Sequence, residues 1–166
     1  DWDSGAAFDD DGGHFEMRDY HVLRLDNIDQ QEAVDCGKIL DQDDVAWVGR
    51  QMWDNDVVEK NGKYYLIYCA KDLNDVFHLG VAVADSPFVP QADPIRGSYS
   101  VDPCVFKDDD GEVYLYFGGL WGGQLQRYKD NKALGTEVLP QGEEPALPSR
   151  VVRMTDDVLQ FAEAPR

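Results

Sequence analysis

The stretch Val57-Val58-Glu59-Lys60-Asn61-Gly62-Lys63-Tyr64-Tyr65-Leu66-Ile67-Tyr68 decides the fold. It reads as strand, tight turn, strand. Asn61-Gly62 tolerates the positive φ that a two-residue hairpin turn demands. The flanks are rich in aromatic and β-branched residues, which suit a pleated, half-buried surface. The pattern returns downstream as Val105-Phe106-Lys107-Asp108-Asp109-Asp110-Gly111-Glu112-Val113-Tyr114-Leu115-Tyr116-Phe117. Aligning Gly62 with Gly111 gives a period of 49 residues, with one residue inserted in the second turn.

Further strands flank both copies. Val76–Ala84 reads as a third strand, broken by Ser86-Pro87. Gly123–Tyr128 alternates in the same way after the second copy. Upstream, Asp19–Leu25 and Asp35–Leu40 read as two more. Asp156–Phe161 fits either a helical turn or a strand edge. Residues 130–150 hold Gly135, Pro140, Gly142, Pro145 and Pro148 and read as a loop-rich connection. The fold class is therefore all-β, built from four-stranded antiparallel blades of a β-propeller. A blade cannot bury both its faces alone, so neighbours must cover it. A closed ring needs at least about four blades, and four such periods exceed the 166 residues present. Residues 1–166 are thus expected to form part of a propeller domain: the rear of blade one, then blades two and three.

The charge balance narrows the partners. Thirty-three acidic and 15 basic residues give a formal net charge of −18. That field repels nucleic acid and anionic membranes but not neutral sugars. No apolar run approaches the roughly 18 residues of a membrane span, and no signal peptide is visible, so the compartment stays open. Cys36, Cys69 and Cys104 form no CxxC pair, and Cys69 and Cys104 are expected to be buried. His14, His21 and His78 are scattered. Acidic runs such as Asp9-Asp10-Asp11 read as solvated loops, because the alternating ligand spacing of a calcium loop is absent.

Asp54 and Asp102 occupy equivalent places, three residues before Val57 and Val105. In a propeller the first strand of each blade lines the central channel. Two carboxylates there suggest a site, although Asp102-Pro103 also reads as a turn opener.

Several ordered motifs resemble glycoside hydrolase family 43. Met52-Trp53-Asp54-Asn55-Asp56-Val57-Val58 with the Asn61–Leu66 hairpin resembles that family's Trp-Ala-Pro-Asp strand and Gly-Lys-Tyr-Tyr-Leu hairpin. Gly80–Pro87 is similar to its Gly-Val-Ala strand and Ser-Pro turn. Ser100–Phe106 with Asp108–Gly111 resembles its Ile-Asp-Pro and Asp-Asp-Gly signatures. The resemblance implies a five-bladed propeller that degrades xylan fragments, hydrolysing xylosides or arabinosides with inversion. It implies a xylo- or arabino-oligosaccharide partner and no cofactor in this chain, with calcium open for a complete domain. An inverting pair of carboxyl groups stands about 6.5–9.5 Å apart, leaving room for water.

By the same resemblance, Asp102 matches the aspartate that tunes the acid's pKa, and Trp53 an aromatic residue of the sugar pocket. Trp121, in Gly118–Gly123, is similar to an aromatic loop at the same mouth, with Gln124 as a hydrogen-bond donor. Asp54 stands where the family usually has alanine. It adds a second charge for substrate choice or salt-bridges Arg50. Glu163, in Phe161–Pro165, resembles the Phe-Glu context of the acid, but it follows Arg153–Asp157, which reads as an outer strand of blade three. The base and acid are expected elsewhere in the domain, and the 166 residues alone are expected to be inactive. Exposed blade edges would favour self-association. A non-catalytic carbohydrate-binding or interaction propeller remains the alternative.

Overall fold

The computed structural model describes residues 15–118, 142–145 and 148–166. Among them, strands β1 (Asp19–Arg24) and β2 (Val34–Asp41) form an antiparallel pair. The second sheet contains β3 (Val48–Arg50), β4 (Asn55–Lys60), β5 (Lys63–Asp72), β6 (Phe77–Ala84) and β7 (Phe88–Pro90). The third contains β8 (Cys104–Lys107), β9 (Val113–Phe117) and β10 (Arg150–Arg153), in the order β10-β9-β8.

The two copies of the sequence repeat become the β4–β5 and β8–β9 hairpins. Lys60 pairs with Lys63 around Asn61 at φ 55° and Gly62 at φ 77°. Positive φ at both central residues is the turn whose twist matches that of the flanking strands. In the second copy Asp108 N–H bonds Glu112 O at 2.9 Å, and Gly111 sits at φ 85°. The inserted residue thus converts a two-residue loop into a three-residue one.

Strand β5 shows why the sheets stack. Residues Tyr65 to Lys71 are all buried. Tyr65, Ile67 and Cys69 face one apolar cluster with Val113, Leu115 and Phe117 of the third sheet. Leu66, Tyr68 and Ala70 face another with Tyr20 and Leu40 of the first. Successive side chains point to opposite faces of a strand, so the central sheet is covered on both sides. This is the layering of propeller blades. Gly80, opposite Tyr68, lets the fully buried phenol ring lie across β6.

Side chains lock the first strands of adjoining sheets together. Asp56 on β4 accepts the Val105 N–H of β8 at 2.8 Å. Lys107 meets Glu59 at 2.8 Å further along. After β7 the chain continues beside β6, with Gln91 N–H bonding Val81 O and Ile95 N–H bonding Leu79 O. It then crosses through buried Ser98 and Ser100 to Asp102 and β8.

The segment 156–161 is neither helix nor strand. It is a turn with Val158 at φ 58°, closed by a Met154–Phe161 bridge. Beyond it, Ala162 N–H bonds Arg153 O, and Arg166 exchanges both backbone bonds with Val151. Residues 162–166 therefore form a fourth row outside β10. The strand expected at Gly123–Tyr128 lies outside the described residues.

Candidate active site

Two chain crossings, just before β4 and just before β8, bring the carboxylates together. Trp53 N–H bonds Cys69 O at 2.9 Å, and Cys69 N–H bonds Asp54 O at 3.3 Å. The β4–β5 ladder thereby extends to Asp54. Cys69 is fully buried below, and its thiol reaches Asp54 O at 3.6 Å. The Asp102 backbone lies near enough to act on the same thiol. Burial, more than any other influence, pushes the Cys69 thiol well above its ordinary range, so it remains a neutral S–H.

Asp102 has φ +54°. Left-handed backbone is uncommon for a residue with a side chain and costs about 1 kcal/mol, although Asp tolerates it better than most. Surrounding structure holds it there. Val101 and Pro103 are buried on either side, and Gly118 N–H bonds Val101 O at 3.0 Å.

The Asp102 carboxyl is electrostatically perturbed. Burial first, then hydrogen bonding to Asp54 and the charge of Asp54, push the Asp102 carboxyl up to about 6. Asp102 is exposed along one side. Its other side is crowded by protein atoms, and like charge adds to that crowding. The Asp102 carboxyl can hold its proton through mildly acidic pH. Asp56, close by, is committed otherwise, since it accepts the N–H groups of Val57 and Val105, each at 2.8 Å.

The other expected residues fall variously. Trp53 lies beside Asp54, and both converge with Asp102 around Cys69. Its indole N–H donates to Phe15 O at 2.7 Å, and its ring packs 4.5 Å from Phe77. Half-buried, it serves the core and leaves only part of its surface to the site. Arg50 forms a bidentate pair with Asp75, at 2.7 and 2.8 Å, in place of the expected bridge to Asp54. Cys104 is exposed rather than buried, because it opens β8 on the side turned from the core. Trp121 and Gln124 lie outside the described residues.

Glu163 sits apart. It is exposed in the outermost row of the third sheet, on the far side of β9 and β10 from β8. Its charge acts on Arg153. It lines an open groove of about 1510 Å³ with Arg96, Tyr99 and Phe161, which Trp53, Asp54 and Asp102 do not reach. Among the described residues no three His, Cys, Asp or Glu side chains gather as a metal ion would require.

Sequence reasoning missed Cys69 and Asp56 as parts of the site. Cys69 looked like any core thiol. The one available signal for Asp56 was a carboxylate at the start of a blade's first strand.

Comparison with known proteins places the chain in a family. The model for the Glycosyl hydrolases family 43 matches residues 32–165. A beta-xylosidase of Xylanibacter ruminicola is 70% identical across the whole chain, which covers 53% of that protein. Xylosidase/arabinosidase 43A of Humicola insolens is 46% identical, again across the whole chain and 54% of the relative. The solved structure of RS223-Beta-xylosidase superposes with a TM-score of 0.92 at 56% identity, over all of this chain and 52% of that one. CoXyl43, a β-xylosidase/α-arabinofuranosidase from a compost metagenome solved with xylotriose in a calcium-free form, gives 0.92 at 50% identity, over all of this chain and 52% of its own. The chain spans about half the length of the curated relatives it matches. It belongs to glycosyl hydrolase family 43.

Proposed function

We propose that the protein carrying this chain hydrolyses glycosidic bonds of xylosides or arabinosides with inversion. In this reading Asp102 tunes the pKa of the general acid. The observation that carries it is the Asp102 carboxyl, held in left-handed backbone at the head of β8 and raised to about 6 beside Asp54. Perturbed carboxyls in such positions mark functional sites. An inverting acid must stay protonated near neutrality, and a neighbouring carboxylate disfavours its ionisation. The names of the curated relatives support the substrate class, as do solved relatives holding xylotriose and xylose.

Residues 1–166 are read as the rear of one blade and the two blades that follow. Trp53 and Asp54 face the sugar, with Trp121 and Gln124 at the same mouth. The base and acid come from other parts of the ring. Glu163 is a poor acid for this site, because two strands separate it from Asp102. Neutral oligosaccharides suit a chain of net charge −18. No helix among the described residues is long and apolar enough to cross a membrane. Exposed Phe106 and Tyr116 on the third sheet are faces for self-association if left uncovered.

The test is Asp102→Asn in the full-length protein, assayed on aryl xylosides and arabinosides. A loss of kcat of about 10²–10⁴-fold is expected, the worth of general acid–base assistance. Unchanged turnover on both substrates would remove Asp102 from the mechanism.

A further inference from the structure

Trp53 is held from several elements. Its backbone N–H bonds Cys69 O on β5 at 2.9 Å, and its indole N–H bonds Phe15 O at 2.7 Å. The Phe77 ring of β6 packs at 4.5 Å, and the Phe15 ring meets the indole edge-on at 6.2 Å. A partly buried tryptophan commonly finds such partners. The restraint from Tyr20 is of another kind. Its hydroxyl donates to the Trp53 carbonyl at 2.6 Å, reaching over from β1 in a different sheet.

Tyr20 is only 5% exposed and shares an apolar cluster with Leu40, Tyr68 and Ala70. Phenylalanine would fill that place with no polar atom to satisfy. A buried hydroxyl costs free energy unless it is bonded, and this one is spent on the peptide that joins Trp53 to Asp54. The β1–β2 register shifts directly after Tyr20, which pairs with Leu40 while His21 pairs with Lys38. Such irregularities bend a strand pair and re-aim its side chains. A peptide unit is planar. Fixing its carbonyl therefore fixes the plane that carries the Trp53 and Asp54 Cα atoms at its two ends.

We propose that Tyr20 is a positioning residue for substrate binding. Its hydroxyl fixes the Trp53–Asp54 peptide, and with it the places where the indole and the carboxylate meet the sugar. The proposal rests on the reading of Trp53 and Asp54 as sugar-facing residues for its effect on affinity, not for the fixing of the peptide. Burial, foremost, holds the hydroxyl well above its ordinary pKa, so it stays a donor. A displacement of about 1 Å can cost about 10²-fold, and a peptide released from one of its bonds should cost about tenfold. The loss falls on substrate and transition state alike, so KM rises while kcat holds.

The experiment compares the full-length parent with Tyr20→Phe, which keeps the ring and its packing. Val152→Ala, a cavity in buried β10, serves as a control for lost stability alone. Kinetics on an aryl xyloside, xylotriose binding by calorimetry and ¹⁵N relaxation of the Trp53 indole N–H are measured where all three proteins are folded. In Tyr20→Phe, KM and the xylotriose Kd should rise about tenfold with kcat within about twofold, and the Trp53 indole should gain motion. Val152→Ala should lower the urea midpoint and leave all three readouts near the parent. A Tyr20→Phe protein with KM and Kd within about twofold of the parent would overturn the proposal. A parent that neither binds nor cleaves the sugar would defeat the hydrolytic reading instead. Relaxation then decides the fixing of the peptide by itself: added motion in Tyr20→Phe upholds it, and an unchanged indole overturns it.

Discussion

Substituting Gly80 by alanine should be among the most damaging single-methyl changes in the second sheet. Gly80 pairs with Tyr68 across β5 and β6. A Cβ there would lie 2.4 Å from the Tyr68 Cζ, 2.6 Å from its hydroxyl oxygen and 2.7 Å from its Cε2. Ordinary carbon contacts sit at about 3.5–4.0 Å, so the ring would have to retreat by about 1 Å. It has little room to do so. Tyr68 is fully buried, stacked 6.0 Å from Trp47 and tilted against Tyr20 at 6.2 Å. Gly80 is not at positive φ, so alanine carries no backbone penalty and gains about 0.5–1 kcal/mol from reduced chain entropy. Overpacking costs about 1–3 kcal/mol, and this overlap belongs at the upper end. The net expectation is a loss of about 2 kcal/mol. Urea unfolding of the full-length protein should show a lower midpoint with an unchanged slope. Adding Tyr68→Leu should restore part of the loss, giving a favourable coupling between the two sites. A Gly80→Ala protein within about 0.5 kcal/mol of the parent would refute the claim that β6 needs glycine for the ring of Tyr68.

Asp56→Ala should destabilise by about 1–3 kcal/mol, because the N–H groups of Val57 and Val105 lose their acceptor; chemical denaturation reads this directly, and a change below that range would mean the clasp is dispensable. The carboxyl pair should also make stability depend on pH. Asp102 holds its proton to about 6 in the fold, against 3.8 for an ordinary aspartate, so the folded state binds more protons between these values and stability falls as pH rises through that window. The unscreened shift corresponds to about 3 kcal/mol, and solvent at this exposed carboxyl reduces it to about 1 kcal/mol. Urea midpoints measured from pH 4 to pH 7 should show the decline in the parent and little of it in Asp102→Asn.

The hairpins were legible because their determinants are local. Asn61-Gly62 and Gly111 carry the φ preferences of the turns themselves, and the aromatic and β-branched flanks carry the strands. The 49-residue repeat made the blade legible for the same reason, since each copy repeats the same local chemistry. It also pointed to Asp54 and Asp102 as equivalent positions. The segment 156–161 stayed ambiguous because its form depends on Val158 at φ 58° and on a bridge to Met154, neither of which has a sequence signature. Glu163 looked like an acid by its neighbours in sequence, yet pairing of 162–166 with β10 carries it to the outer row.

Sequence by itself determined the all-β class, the strand pairs and the two carboxylates at the heads of the first strands. Tertiary structure alone decided that the Asp102 carboxyl is raised, because burial and the nearness of Asp54 depend on two crossings 48 residues apart. It alone decided that Cys69 underpins both, that Cys104 is exposed, and that Arg50 turns to Asp75. Turn and strand preferences act over a few bonds along the chain. Proximity of charges, and the burial that shifts them, exist only once the sheets have stacked.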